Sequence, residues 1–88
     1  MGYALIVFSS STTASRLKRM AFRDGIKDVG MIQTPKIISV NGCTYSVRAR
    51  VSDLEQLRQT AEEYGLKYIR IYREIIGTDG QKSYEQIM

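Results

Sequence analysis

Three observations predict an α+β fold for this chain of 88 residues. Apolar or alternating segments of strand length and two amphipathic stretches of helix length follow one another in the order βαββαβ. Glycine, proline or capping residues punctuate most of the junctions between them. A hydrophobic fraction of 43% beside 25% charged residues is material for one small core, and the length holds one domain.

The first strand is Tyr3–Phe8, a continuous apolar run rich in branched and aromatic residues, which is how a strand buried on both faces reads. Residues 9–13, Ser-Ser-Ser-Thr-Thr, supply N-cap candidates, and Ala14, Leu17, Ala21 and Phe22 then recur at helical spacing as far as Asp24-Gly25. Val29–Gln33 is a short second strand that stops at Thr34-Pro35. Residues 44–50 alternate, with Tyr45, Val47 and Ala49 on one face and Thr44, Ser46, Arg48 and Arg50 on a wet one. Ser52-Asp53-Leu54-Glu55 matches a capping box, Leu54, Leu57, Ala61 and Tyr64 follow at helical spacing, and Gly65 ends the second helix. Residues 66–73 alternate again and predict a fourth strand sending Ile69 and Ile71 inward.

The closure expected of this order is a ferredoxin-like sandwich: a four-stranded antiparallel sheet with both helices on one face, spanning residues 1–76. Gly77-Thr78-Asp79-Gly80 is a turn signal, so residues 77–88 are a C-terminal extension, either an edge strand or a flexible tail.

Composition excludes several chemistries. With no histidine and one cysteine, the usual zinc and transition-metal ligand sets and the Ser-His and Cys-His nucleophile pairs cannot be assembled within one chain. No metal site and no cofactor is expected, and a carrier or binding protein is expected rather than an enzyme. One cysteine forms no internal disulfide, which suits a reducing compartment. The first strand is too short to span a bilayer and lacks a signal's basic flank, and Ile6 stands where a myristoylation site needs Ser or Thr. The expectation is a cytoplasmic protein without a membrane partner. A net charge of +4 favours anionic partners mildly.

The stretch at residues 34–43, Thr-Pro-Lys-Ile-Ile-Ser-Val-Asn-Gly-Cys, holds the chain's one proline and one cysteine. In the predicted topology the first two strands run the same way, so this loop emerges at the same end of the sheet as the Ser/Thr-rich start of the first helix. A helix N-terminus stabilises a nearby anion such as a thiolate, and Lys36 adds a cation. Two readings of Cys43 stay open: a small hydrophobe at a strand end, or a reactive thiol at an exposed rim after the Asn41-Gly42 turn signal. Thr34-Pro35 is likewise either a strand terminator or a shaper of a ligand loop.

An apolar strand, a Ser/Thr-rich turn, a helix ending in Asp24-Gly25-Ile26, then Thr34-Pro35-Lys36 with Ser39 and Cys43, resembles the small bacterial selenium/sulfur carrier-like family over about residues 3–73. Thr44 departs from that family's pattern, which places glycine after the cysteine. The resemblance implies a carrier whose Cys43 takes sulfane sulfur or selenium as a persulfide or selenosulfide. It also implies sulfur or selenium donor and acceptor proteins as partners. Lys36 and the helix start at Ser10, Ser11 and Thr12 would support the anion, with Thr34 and Ser39 in the loop. With no second cysteine, release requires a partner's thiol or another acceptor.

Two surfaces complete the reading. Arg16, Arg19 and Arg23 make a basic stripe on the first helix, whereas Asp53, Glu55, Glu62 and Glu63 make the second acidic; each is a solvated face or a docking surface. The open face of the sheet is expected to carry Ser46, Arg48, Tyr68, Arg70 and Tyr72. Folds of this shape bind single-stranded RNA on sheet aromatics, but residues 44–50 lack the glycine and paired aromatics of that signature. Nucleic acid is therefore not the expected partner, and a homodimer interface or a plain wet face is preferred. A ligand-binding or protein-interaction module remains the alternative function.

Overall fold

β1 (Tyr3–Phe8) forms the middle of a five-stranded antiparallel sheet, and its position explains its sequence. The computed structural model describes residues 2–39 and 44–87. Element order is β1, α1 (Ser11–Arg23), β2 (Val29–Gln33), β3 (Tyr45–Arg50), α2 (Val51–Glu63), β4 (Arg70–Ile76) and β5 (Lys82–Gln86). Strand order across the sheet is β2-β3-β1-β4-β5. With neighbours on both edges and cover on both faces, Ala4 through Phe8 are all buried.

Register sorts the side chains. Ile6 lies opposite Val47 on β3 and Ile71 on β4, and this row, with Phe8 and Ala49, forms one core with Ala14, Leu17 and Ala21 of α1 and Leu57 and Ala61 of α2. Both helices therefore cover the same face. On the other face Leu5 lies opposite Arg48 and Tyr72, and Val7 opposite Ser46 and Arg70. Since β1 and β2 both run antiparallel to β3, they point the same way.

The two helices stop by the same device. Gly25 (φ +91°) and Gly65 (φ +68°) adopt the left-handed conformation that ends each helix. The next residue's amide then returns to the helix, Ile26 N–H donating to Ala21 (2.9 Å) and Leu66 N–H to Ala61 (2.8 Å). Ile26 and Leu66 are both buried by this step, which docks each exit onto the core.

Four expectations are corrected. The sheet has five strands, not four: Gly77-Thr78-Asp79-Gly80 closes a hairpin, with Gly77 N–H donating to the Gln81 carbonyl (2.8 Å), and β5 pairs with β4 from Ile76↔Lys82 to Tyr72↔Gln86. The capping box does not form. β3 runs directly into α2, so Ser52 lies inside the first turn and Arg50 holds the N-cap, where its guanidinium has no acceptor to make a side-chain cap bond; Val51 N–H is held by the Gly2 carbonyl (2.9 Å). Glu55 instead pairs with Arg58.

β4 starts at Arg70 rather than residue 66, since Leu66 is consumed by the helix exit. Consequently Tyr68 packs against the helix-side core, away from the open face, and Ile69 is 48% exposed rather than inward. Finally, the open face is not uniformly wet: Leu5 and Ser46 are fully buried, and Tyr72 and Glu74 nearly so.

Candidate functional site

Three chain segments leave the same end of the sheet. Phe8, Tyr45 and Gln33 form one transverse row across β1, β3 and β2. Ser9 and Ser10 continue from the first, Thr34 from the third, and Thr44 enters the second. With strands about 4.8 Å apart, the exits of β1 and β2 stand about 10 Å from each other, with the entry to β3 between them.

Ser10 is the N-cap of α1. Its backbone is extended (φ −125°, ψ 130°), its carbonyl accepts from Ala14 N–H (3.2 Å), and its hydroxyl accepts a long bond from Thr13 N–H (3.4 Å). Ser11 and Thr12 occupy the exposed first turn, which contains no acidic residue. The amides preceding Thr13 have no carbonyl four residues back within the helix, and no carboxylate in that turn offsets their partial positive charge. This is an anion-favouring terminus built from neutral hydroxyl residues.

Thr34 has a structural role. Its N–H donates to the Thr44 carbonyl (3.0 Å) and its hydroxyl shares a buried hydrogen bond with Ser46 (2.8 Å), fastening the ends of β2 and β3. Pro35 then opens a tight turn, its carbonyl accepting from Ile38 N–H (3.1 Å) and Ser39 N–H (3.0 Å). Lys36 sits exposed on that turn beside Ile37, which is 73% exposed; Ser39 is half-buried. Cys43 lies outside the described residues. Thr44, which follows it, is buried, and its hydroxyl has no hydrogen-bond partner among the described residues. The structure thus brings Ser10, Thr34 and the Pro35 turn to one end of the sheet. It shows no hydrogen bond or ion pair joining Lys36 to α1 among the described residues.

Sequence reasoning missed a polar network at the opposite end. The Arg48 guanidinium lies over the Tyr3 ring, 3.8 Å from its centroid, and pairs with Glu74 (3.1 and 3.4 Å), whose side chain is only 4% exposed. Tyr3 O–H donates to Asp28 (2.7 Å), which also accepts from Arg50 (2.8 Å). The Tyr3 hydrogen bond, then that of Arg50, holds the Asp28 carboxyl below its ordinary value. The bond to Glu74 reinforces the Arg48 charge, and burial pushes the Tyr84 phenol up. Tyr3, Arg48, Glu74 and Ile76 help line a cleft of about 420 Å³. Glu74 was one position beyond the expected end of β4, which hid its pairing with Arg48; its two-residue spacing from Tyr72 was the available signal.

No described helix is long and apolar enough to cross a membrane. Among the described residues no group of three or more histidine, cysteine, aspartate or glutamate side chains is placed to hold a metal ion. A family model described as "Putative Se/S carrier protein-like" matches residues 3–73, most of the chain. No curated protein and no solved structure matches significantly.

Proposed function

The chain belongs to the Se/S carrier protein-like family, and on that premise we propose that it carries one sulfur or selenium atom on Cys43. The observation supporting this reading is that the family match spans Cys43, the chain's single thiol. In the proposed loading step the Cys43 thiolate attacks the outer sulfur of a donor persulfide, a new S–S bond forms, and the donor leaves as its own thiolate. The sulfur moves at constant oxidation state, so no external oxidant or reductant is consumed. For delivery an acceptor thiolate attacks the outer sulfur in turn and Cys43 is regenerated. Selenium follows the same path as a selenosulfide.

The surrounding residues support an anion at this end of the sheet. Ser10 caps a helix whose first turn, with Ser11 and Thr12, presents free amides and no carboxylate. Lys36, on the exposed turn that Thr34 and Ser39 frame, supplies a cation seven positions before the thiol in the sequence. We read the first four strands, in the order β2-β3-β1-β4, as a ferredoxin-like core to which β5 is appended. A reducing cytoplasm would keep the single thiol available.

Intact-mass analysis after incubation with glutathione persulfide tests the proposal. One added sulfur is expected on the wild type, removable by an acceptor thiol, and none on Cys43→Ser. An unmodified wild type defeats the carrier reading and leaves the ligand-binding or interaction module, whose binding would survive Cys43→Ser.

A further inference from the structure

We propose that the outward face of α1 is a docking surface for an acidic amphipathic helix of a partner protein. Ala14, Leu17 and Ala21 turn one side of α1 into the core. Arg16, Arg19 and Arg23, spaced i, i+3 and i+7, fall on the side away from it, in a single row about 10 Å long. With Met20 they line a shallow groove of about 220 Å³.

These cations differ from the paired arginines elsewhere in the molecule. Arg48 is held by Glu74, Arg50 by Asp28, and Arg58 by both Glu55 and Glu62. Arg16 and Arg19 make no ion pair or hydrogen bond among the described residues. Arg23 approaches Asp24 only to 3.9 Å, while its guanidinium meets the Tyr64 hydroxyl at 3.5 Å. No residue of α1 is acidic, so the helix itself cannot neutralise the row.

The chemistry of the groove selects among anions. A nucleic acid strand held by arginines would also need ring faces for its bases. The rings near this row, Phe22 and Tyr64, are faced by Lys18 (5.9 Å) and Arg23 (6.0 Å). What lies among the guanidinium groups is Met20, and arginine with methionine is the composition of protein interfaces. A partner helix with carboxylates at i, i+4 and i+7 has the same pitch as the row and matches it charge for charge. A second copy of this chain is a poorer occupant, because Arg58 already holds two of the α2 glutamates.

The row begins about 9 Å along the helix axis from Ser10, so a partner seated on it reaches the end of the sheet where the Pro35 turn lies. That the partner is the sulfur or selenium donor or acceptor rests on the carrier reading; the docking surface does not.

The test uses the full chain and a fluorescein-labelled helical peptide with Glu at i, i+4 and i+7 and Leu on the flanking positions, read by anisotropy at low salt. Saturable binding is expected, weakened about tenfold or more by Arg16→Glu with Arg19→Glu. It should be recovered when that variant meets the same peptide with Lys replacing Glu. The equal charge change Lys67→Glu with Lys82→Glu should leave binding nearly intact. Cys43→Ser should bind as the wild type does, so failure of sulfur loading and failure of docking are separately visible. Equal binding of a peptide with the same residues scattered around the helix, equal weakening by the Lys67 and Lys82 changes, or displacement of the peptide by oligouridylate at lower concentration would each overturn the proposal.

Discussion

The two ends of the sheet are built from different chemistry. Where β1 starts and β3 finishes, Tyr3, Asp28, Arg48, Arg50 and Glu74 are tied by charged hydrogen bonds and a cation over a ring. Where β1 finishes and β2 gives way to its loop, the described residues are joined by neutral hydroxyls and backbone amides: the Ser10 cap, the Thr34–Ser46 pair and the turn at Pro35. At the first end Arg48 and Arg50 are already satisfied by carboxylates, which makes them poor ground for a new anion. The neutral end leaves helix amides and Lys36 uncommitted to any carboxylate in α1, which is what a developing thiolate requires. The contrast suggests a division in which one end resists unfolding and the other stays chemically open.

The strongest way to break that division is to strip the cation from the fastened end. Arg48→Met leaves Glu74 buried without its partner. Because the Arg48 side chain is itself 31% exposed, the expected loss is at the lower edge of a broken buried pair, about 2–3 kcal/mol by urea unfolding. Adding Glu74→Gln should restore part of it, since the stranded charge is then gone. If Arg48→Met unfolds at the wild-type urea concentration, the pair is not what secures this end.

At the open end the corresponding change is smaller. Thr34→Val keeps shape but strands the buried Ser46 hydroxyl, for an expected cost of about 1–2 kcal/mol. Ser10→Ala removes the α1 cap at about 1 kcal/mol. Its second readout is sharper: if the helix start stabilises the thiolate, iodoacetamide should alkylate Cys43 more slowly in this variant at neutral pH. An unchanged rate in a destabilised protein would confine Ser10 to a structural role.

The same contrast explains what could be read from the sequence. β1 and β2 were legible to the residue because their apolar runs end at strong punctuation, Ser9-Ser10 and Thr34-Pro35. Ser10 was legible as one of a cluster of caps. The Ser52 capping box misled because β3 runs directly into α2, which puts Ser52 inside the first turn and Arg50 at the N-cap. The fourth strand was misplaced because Leu66 looks like the first residue of an alternating segment but is the apolar residue that follows a helix-ending glycine. Asp24-Gly25-Ile26 shows the identical signature after α1, so the two exits together held the clue. The Arg48–Glu74 pair joins residues 26 apart, and only the register of β1 with both β3 and β4 brings them together. On the candidate site, Thr34-Pro35 was read as either a strand terminator or a shaper of a ligand loop, and the Thr34 hydrogen bonds fasten β2 to β3 where the strands end.

The smallest expected effect concerns the exposed part of the fastened end and separates it from the buried pair by pH. The Asp28 carboxyl is held below its ordinary value first by the Tyr3 hydroxyl and then by Arg50. A carboxyl whose folded value is lowered stabilises the fold at pH above its unfolded value, about 4, and loses that contribution as the pH falls through the folded value. Asp28→Asn should therefore be slightly less stable than wild type at neutral pH, with the two unfolding curves converging in acid. Tyr3→Phe should show the same convergence, because it removes the largest cause of the lowered value while retaining the ring under Arg48. Thr34→Val, whose partners carry no charge, should differ from wild type by the same amount throughout that range. A Thr34 difference that also closes in acid would mean that the two ends are electrostatically coupled and not separately built.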